Sequence, residues 1–235
     1  MENPAMETNE HERACRRVAA LFSERWLRGY VAWKLRADPI FLVAHELFRS
    51  RSLPILDIGC GVGLLAFYLR ERGCEQAIVG LDRDARKIDR ALEIGARRGY
   101  KSVRFRTTIV DEAPAEFCGD VALLDVLHYV SEAQQLSLLT SVAKRVSERG
   151  IVVLRDCLRE RRGRFYATYV AEKFAQMISW NVGTPLHFAS RAEIEEPFAP
   201  DKFTREERPM WGNTPFNNRL FIFRRQSTEV VPGSE

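Results

Sequence analysis

Residues 54–73 read PILDIGCGVGLLAFYLRERG: a short apolar run containing an acid, glycines at 59, 61 and 63, then an amphipathic run closed by Gly73. This is the pattern of a strand, a tight turn and a helix, and glycines in such a turn let the backbone approach a ligand closely because they lack Cβ. A nicotinamide fingerprint needs G-x-G-x-x-G, whereas here the third position is Leu64 and glycine comes one place early, at Gly63. No G-x-x-x-x-G-K-[ST] occurs, which excludes a P-loop of standard form. Asp57, two residues before the first glycine, is ill suited to a pyrophosphate. It suits a cofactor with a cationic amino-acid end and no phosphate.

Other residues able to do chemistry fall at the ends of further apolar runs. Asp82 closes AIVGLD, Asp111 follows SVRFRTTIV, Asp125 and His128 lie in DVALLDVLHYV, and Asp156 follows IVVLR. A histidine with its ordinary pKa near 6.5 is a usable base toward a phenol, so His128 and His187 are the candidate general bases. The stronger reading of His128 is as a residue that only shapes the pocket. Five cysteines, at 15, 60, 74, 118 and 157, are scattered with no C-x-x-C pair. A disulfide framework or zinc site is therefore not expected, and a reducing cytoplasm is the expected location.

These residues need elements to position them. A helical pattern covers about 12–35, with apolar residues at Val18, Leu21, Phe22, Trp26 and Leu27 and an interruption at Gly29. Asp38-Pro39 starts another helix. Strands are predicted at PILDIG, AIVGLD, SVRFRTTIV, DVALLDVL and IVVLR. Helices lie between them: one closed by Gly73, one from an Asp84 cap to Gly99, and one from Ser131 to Gly150. Ser131 and Gln134 have capping-box spacing, and Leu136, Leu139, Ala143 and Val146 form the predicted apolar face of the third helix. Continuously apolar strands alternating with helices mean a parallel sheet covered on both faces. After residue 157 the rhythm breaks: a helical run over 164–180, a loop-rich stretch over 185–200, and two closing strands, KFTREERPM and NNRLFIFRR.

The 235-residue chain is 46% hydrophobic and 29% charged, with a net charge of +4, enough to bury a core and too balanced to be disordered. No apolar run reaches the roughly 20 residues of a bilayer span, and the polar N-terminus has no secretory h-region. The arginine cluster in RDCLRERRGR, 155–164, suits an acidic partner or remains plain solvated surface.

The combination of D-x-G-C-G-x-G at 57–63, Asp82 in VGLD, Asp111 in TTIVDE and the segment LLDVLHYV resembles the class I S-adenosylmethionine (SAM)-dependent methyltransferases over roughly residues 50–157. The resemblance implies a Rossmann-like α/β fold with a seven-stranded, mostly parallel sheet and helices on both faces. It also implies a helical extension at 1–50, a SAM-binding core at 51–157, a substrate-side insert with closing strands at 158–225, and a disordered tail at 226–235. Gly59, Cys60, Gly61 and Gly63 would form the cofactor turn. Asp57 would lie near the methionine amino group, and Asp82 would hold the ribose hydroxyls, flanked by Leu81 and Arg83. Asp111 would contact the adenine, Asp125 would border the cofactor, and Lys34 would reach its carboxylate. Tyr30, Trp33, Tyr129, Tyr166 and Trp180 are the aromatic candidates for the acceptor pocket.

The implied reaction is methyl transfer to a small-molecule acceptor, aromatic or phenolic, with S-adenosylhomocysteine (SAH) as product. Metal-dependent catechol enzymes need an Asp-Asn pair beyond Asp125 and Asp156 that this sequence lacks, so no metal is expected. Residues 34–41 and 53–73 are similar to methyltransferases encoded with bacterial aryl-polyene pigment genes. That likeness implies an acceptor of secondary metabolism, carried on an acidic acyl carrier protein. Two alternatives remain: an RNA methyltransferase, although the [DNS]-P-P-[YFW] motif of amino-group methylators is missing after Asp125, and a protein that binds SAM without turnover. Nucleic acid is the less favoured partner, and the oligomeric state is open.

Overall fold

The computed structural model describes residues 4–108, 114–159, 186–210 and 217–227. Three helices come first: α1 (Pro4–Ala19), α2 (Arg25–Ala37) and α3 (Ile40–Phe48). Then β1 (Ile55–Ile58), α4 (Leu64–Glu71), β2 (Ile78–Asp82), α5 (Ala85–Arg98) and β3 (Val103–Thr107) alternate, followed by β4 (Asp120–Leu124), α6 (Glu132–Arg145) and β5 (Ile151–Cys157). A short α7 (Arg191–Glu195) leads to the hairpin strands β6 (Phe203–Pro209) and β7 (Asn218–Arg225). The sheet order is β3-β2-β1-β4-β5-β7-β6. The first five strands are parallel and β7 is antiparallel to both β5 and β6. The winding reverses between β1 and β4, and in open α/β sheets that crevice, at the carboxyl ends of the strands, is where ligands bind.

Period-two alternation along the strands divides the core into two layers. Ile55, Ile78, Ala122 and Val153 face α1–α5, while Leu56, Leu81, Val121 and Val152 face α6 and α7. Every residue of β1 and β5 is buried, as expected for strands covered on both faces. The amino ends of the strands are tied by charge. Asp120, fully buried, accepts from Arg51 Nε at 2.6 Å and Nη2 at 2.8 Å, and from the Ile151 amide at 2.8 Å. Among the described residues no helix is long and apolar enough to cross a membrane.

Three local expectations differ from the structure. The helical pattern at 12–35 breaks at 20–24 and not at Gly29, which sits inside α2. Gly29 faces open space, while Leu27, Val31 and Leu35 of the same helix are buried, so packing overrides the weak helix propensity of one glycine. In α6 the buried positions are Gln135, Leu138, Leu139 and Val142, whereas Leu136 is exposed. The face rotates because Gln135 Nε2 donates to the carbonyls of Leu127, Val130 and His187 at 3.0, 3.0 and 2.5 Å. Ser131 makes no backbone cap; its hydroxyl donates to the Gln134 side chain at 2.6 Å. The Asp84 cap on the Arg86 amide and the left-handed Gly99 terminus do form.

Removing one partner of a buried, hydrogen-bonded charge pair typically costs about 3–5 kcal/mol. Asp120→Ala strands the Arg51 cation and the Ile151 amide together, so urea unfolding should show a loss of about that size. Glu75→Ala, an exposed change in the loop before β2, should stay within about 0.5 kcal/mol of the parent.

Candidate functional site

The turn after β1 is built by its glycines. Gly59 has φ +76°, and a Cβ there would lie 2.4 Å from a Val126 methyl; Gly63 has φ +80°, and a Cβ would meet the Phe105 ring at 2.7 Å. Both the left-handed backbone and the space demand glycine. Gly63, one place early for a nicotinamide fingerprint, therefore brings α4 close to β3. The turn is held from behind by the Leu81 carbonyl, which accepts from the Gly59 and Cys60 amides at 2.7 and 2.9 Å.

A cavity of about 690 Å³ opens above this turn. Asp57, Gly59, Cys60 and Gly61 line its floor, Asp82 and Arg83 one side, and Tyr30, Lys34, Asp125 and Tyr129 the opposite side. Val126, Val130, Ile40, Phe41 and Leu65 supply apolar wall. Gly63 and Leu81 lie behind the turn and not on the cavity wall. Trp33 is on the outer face of α2, 57% exposed. Asp111, Tyr166 and Trp180 lie outside the described residues.

The two acids nearest the turn differ in their hydrogen bonding. Asp82 Oδ2 accepts from the Gly61 amide at 2.8 Å and Oδ1 from the Asp84 amide at 2.9 Å, and each oxygen retains a lone pair for a ligand. Asp57 is buried and its Oδ2 has no hydrogen-bond partner. Burial, and then the neighbouring Asp82 carboxylate, push its pKa up to about 7. A buried carboxylate of this kind is stable as an anion only beside a cation. The amino group of SAM or SAH is such a cation, and the glycine turn beside it admits a ligand at backbone distance. The residues present fit the expected cofactor.

The opposite wall holds a group that pattern reading did not assemble. Arg155, fully buried on β5, makes two hydrogen bonds to each of two carboxylates. Nε donates to Asp125 Oδ1 at 2.8 Å and Nη2 to Asp38 Oδ2 at 2.9 Å; Nη1 and Nη2 also bond Asp38 Oδ1 and Asp125 Oδ2 respectively. Lys34 Nζ lies 2.7 Å from Asp38 Oδ2 and 3.6 Å from Asp125 Oδ2. Two cations and two anions thus cancel in one buried cluster. Burial opposes the charge on Arg155 and Lys34, but the two carboxylates outweigh it and raise both pKa values. Burial likewise opposes the Asp38 anion, and the Arg155 and Lys34 cations hold its pKa far below the carboxylate range. Asp125 reaches Arg155 from a left-handed backbone, φ +57°, at the carboxyl end of β4. Arg155 consequently leaves the surface arginine cluster in which the sequence placed it. A charge inside the apolar run IVVLR was the available signal; Asp38 gave none beyond its helix-cap role, which it also fills by accepting from the Ile40 amide at 3.1 Å.

His128 follows β4 in a 3-10 turn, Leu127–Tyr129. Its Nδ1 lies 2.7 Å from Asp156 Oδ1, and its amide donates to Asp156 Oδ2 at 3.2 Å. The ring is buried and stacked on Phe188, with ring centroids 5.5 Å apart. Among the described residues it does not line the cavity, whereas its neighbour Tyr129 does. His187 is joined to it through the backbone, its amide donating to the His128 carbonyl at 2.9 Å. Asp125 and Asp156, both considered for a metal, serve Arg155 and His128 respectively.

Because the raised Asp57 must ionise to meet the cofactor's ammonium, calorimetric affinity for SAH should rise about tenfold per pH unit up to pH ~7 and then level off. In Asp57→Asn it should be weak and flat with pH. The sign for stability is opposite. The folded pKa lies above the unfolded one, so the native state holds this proton more tightly, and stability falls as pH rises from ~4 through 7. Ligand-free Asp57→Asn should therefore melt higher than the parent at pH 8, with the advantage shrinking toward pH 4.

The comparisons with known proteins agree with this geometry. A family model described as a methyltransferase domain matches residues 49–195. The ubiquinone biosynthesis O-methyltransferase of Rickettsia bellii is 27% identical over 146 residues, covering 62% of this chain and 59% of its own length. That of Vibrio vulnificus is 28% identical over 146 residues, covering 61% and 59%. The chain thus spans about three fifths of the length of these curated relatives. Magnesium protoporphyrin IX methyltransferase from Synechocystis PCC 6803, solved with bound SAH, shares the fold with a TM-score of 0.62 at 17% identity, covering 91% of this chain and 94% of the other. The family model takes in more than half of the chain, which therefore belongs to the methyltransferase-domain family, in its class I SAM-dependent branch.

Proposed function

We propose that the chain transfers a methyl group from SAM to an oxygen of a small aromatic acceptor. The observation that carries the reading is the unpartnered Asp57 carboxylate beside the glycine turn, in a cavity whose other wall bears Tyr30, Phe41 and Tyr129. When bound, SAM supplies an electrophilic methyl on a sulfonium. Asp57 would hold the amino group and Asp82 the ribose, and the glycine backbone at 59 and 61 would allow close approach. The curated relatives' names favour oxygen as the accepting atom.

In-line displacement asks chiefly for alignment and exclusion of water. With the sulfonium methyl held in line, an acceptor oxygen would supply the pair for the new O–C bond while the C–S bonding pair returned to sulfur, and the phenolic proton would leave to solvent. Tyr129 and Val130 form the wall behind the acceptor, and His128, pinned by Asp156, fixes the turn that carries them. On this reading His128 is a positioning residue. Lys34 offers a fixed positive charge to the cofactor carboxylate or to an anionic acceptor oxygen. The likeness to aryl-polyene-associated enzymes puts an aryl ring on an acidic acyl carrier protein among the acceptors to try first.

Titration with SAH should give micromolar binding that falls at least tenfold, about 1.4 kcal/mol, in Asp82→Ala. A panel of phenols, free and carrier-bound, with methyl-labelled SAM should yield a methyl ether. His128→Asn should lower kcat without shifting the pH profile; loss of an acidic limb of that profile would make His128 a base instead. SAH binding without transfer to any acceptor would leave a binding protein, and absence of SAH binding would overturn the reading.

A further inference from the structure

Helix α2 has an outer face that extends beyond the site. Trp26 and Trp33 are 61% and 57% exposed and Tyr30, between them, 37%. At spacings of four and three residues they fall within about 60° of arc, one stripe along the helix. The Tyr30 and Trp33 rings lie 6.4 Å apart. Exposed Arg25 and Arg36 lie along one side of the stripe, toward its two ends, and the helix carries no acidic residue. The acids at its two ends are neutralised: Glu24 pairs with Arg90, and Asp38 with Arg155 and Lys34.

We infer that this face of α2 docks on an anionic lipid surface, with Trp26 and Trp33 at headgroup depth and the arginines on the lipid phosphates. Aromatic rings with a polar edge favour that depth, and arginines beside them add attraction to anionic lipid. Neither tryptophan lines the cavity, but the stripe adjoins the site, because Tyr30 belongs to it and lines the cavity. Docked in this way, the cavity rim stands at the bilayer surface, where an acceptor with an apolar tail could enter while its aromatic head stays near water. This inference goes beyond the reaction proposed above, and vesicle binding does not depend on turnover.

The test is co-sedimentation of the full chain with vesicles of phosphatidylcholine and phosphatidylglycerol, 1:1, against phosphatidylcholine alone. Binding should be at least tenfold stronger to the anionic vesicles and should weaken with added salt. Trp26→Ala/Trp33→Ala should lose at least tenfold of it at an unchanged melting temperature, and Arg25→Gln/Arg36→Gln should remove the preference for anionic lipid. No binding to anionic vesicles, or equal binding by the tryptophan variant, would overturn the inference. So would tryptophan-dependent binding to an acidic acyl carrier protein, or tryptophan-dependent self-association in light scattering, with vesicles left unbound. SAH titration of the same samples separates this outcome from that of the cofactor reading.

Discussion

A guanidinium shut away from water must be neutralised where it stands, and in this protein Arg155 is neutralised twice. Asp125 comes from the carboxyl end of the neighbouring strand, and Asp38 from the junction between α2 and α3. Satisfying that one cation ties the N-terminal helices to the sheet at the point where its winding reverses. It also fixes Asp125 in its left-handed conformation and sets Lys34 on the cavity wall. The cluster has zero net charge, so it costs less than its four burials would separately. Removing any member would leave an uncompensated charge.

The opposite side of the cavity follows the reverse logic. Asp57 has no cation, and its neighbour Asp82 makes its ionisation harder still. The fold tolerates this because the carboxyl can keep its proton, and the arrangement becomes favourable when an ammonium arrives. One wall of the cavity is therefore saturated by the protein itself, while the other is completed by a ligand. On the function proposed above, that asymmetry would put the cofactor on the Asp57 side and the acceptor toward Tyr129 and α2.

His128 is held from three directions. Its Nδ1 lies against Asp156, its ring stacks on Phe188, and its carbonyl accepts from the His187 amide. The same set of contacts explains the rotated face of α6, since Gln135 is drawn inward by carbonyls of that turn.

Much was legible in the sequence, and for local reasons. The glycines at 59 and 63 announce left-handed backbone and close approach, apolar runs announce strands buried on both faces, and Asp84 with Gly99 marks the two ends of α5. Asp57 and Asp82 were readable as acids at the carboxyl ends of apolar strands, and both line the cavity. What only the tertiary structure decided depends on partners distant in the chain. Asp38 and Arg155 are 117 residues apart, and no spacing rule relates them. Whether Gly29 breaks a helix and whether Leu136 is buried are likewise settled by what packs on them. Periodicity reports which side of an element is apolar, but the burial of a charge is decided by the charge that meets it.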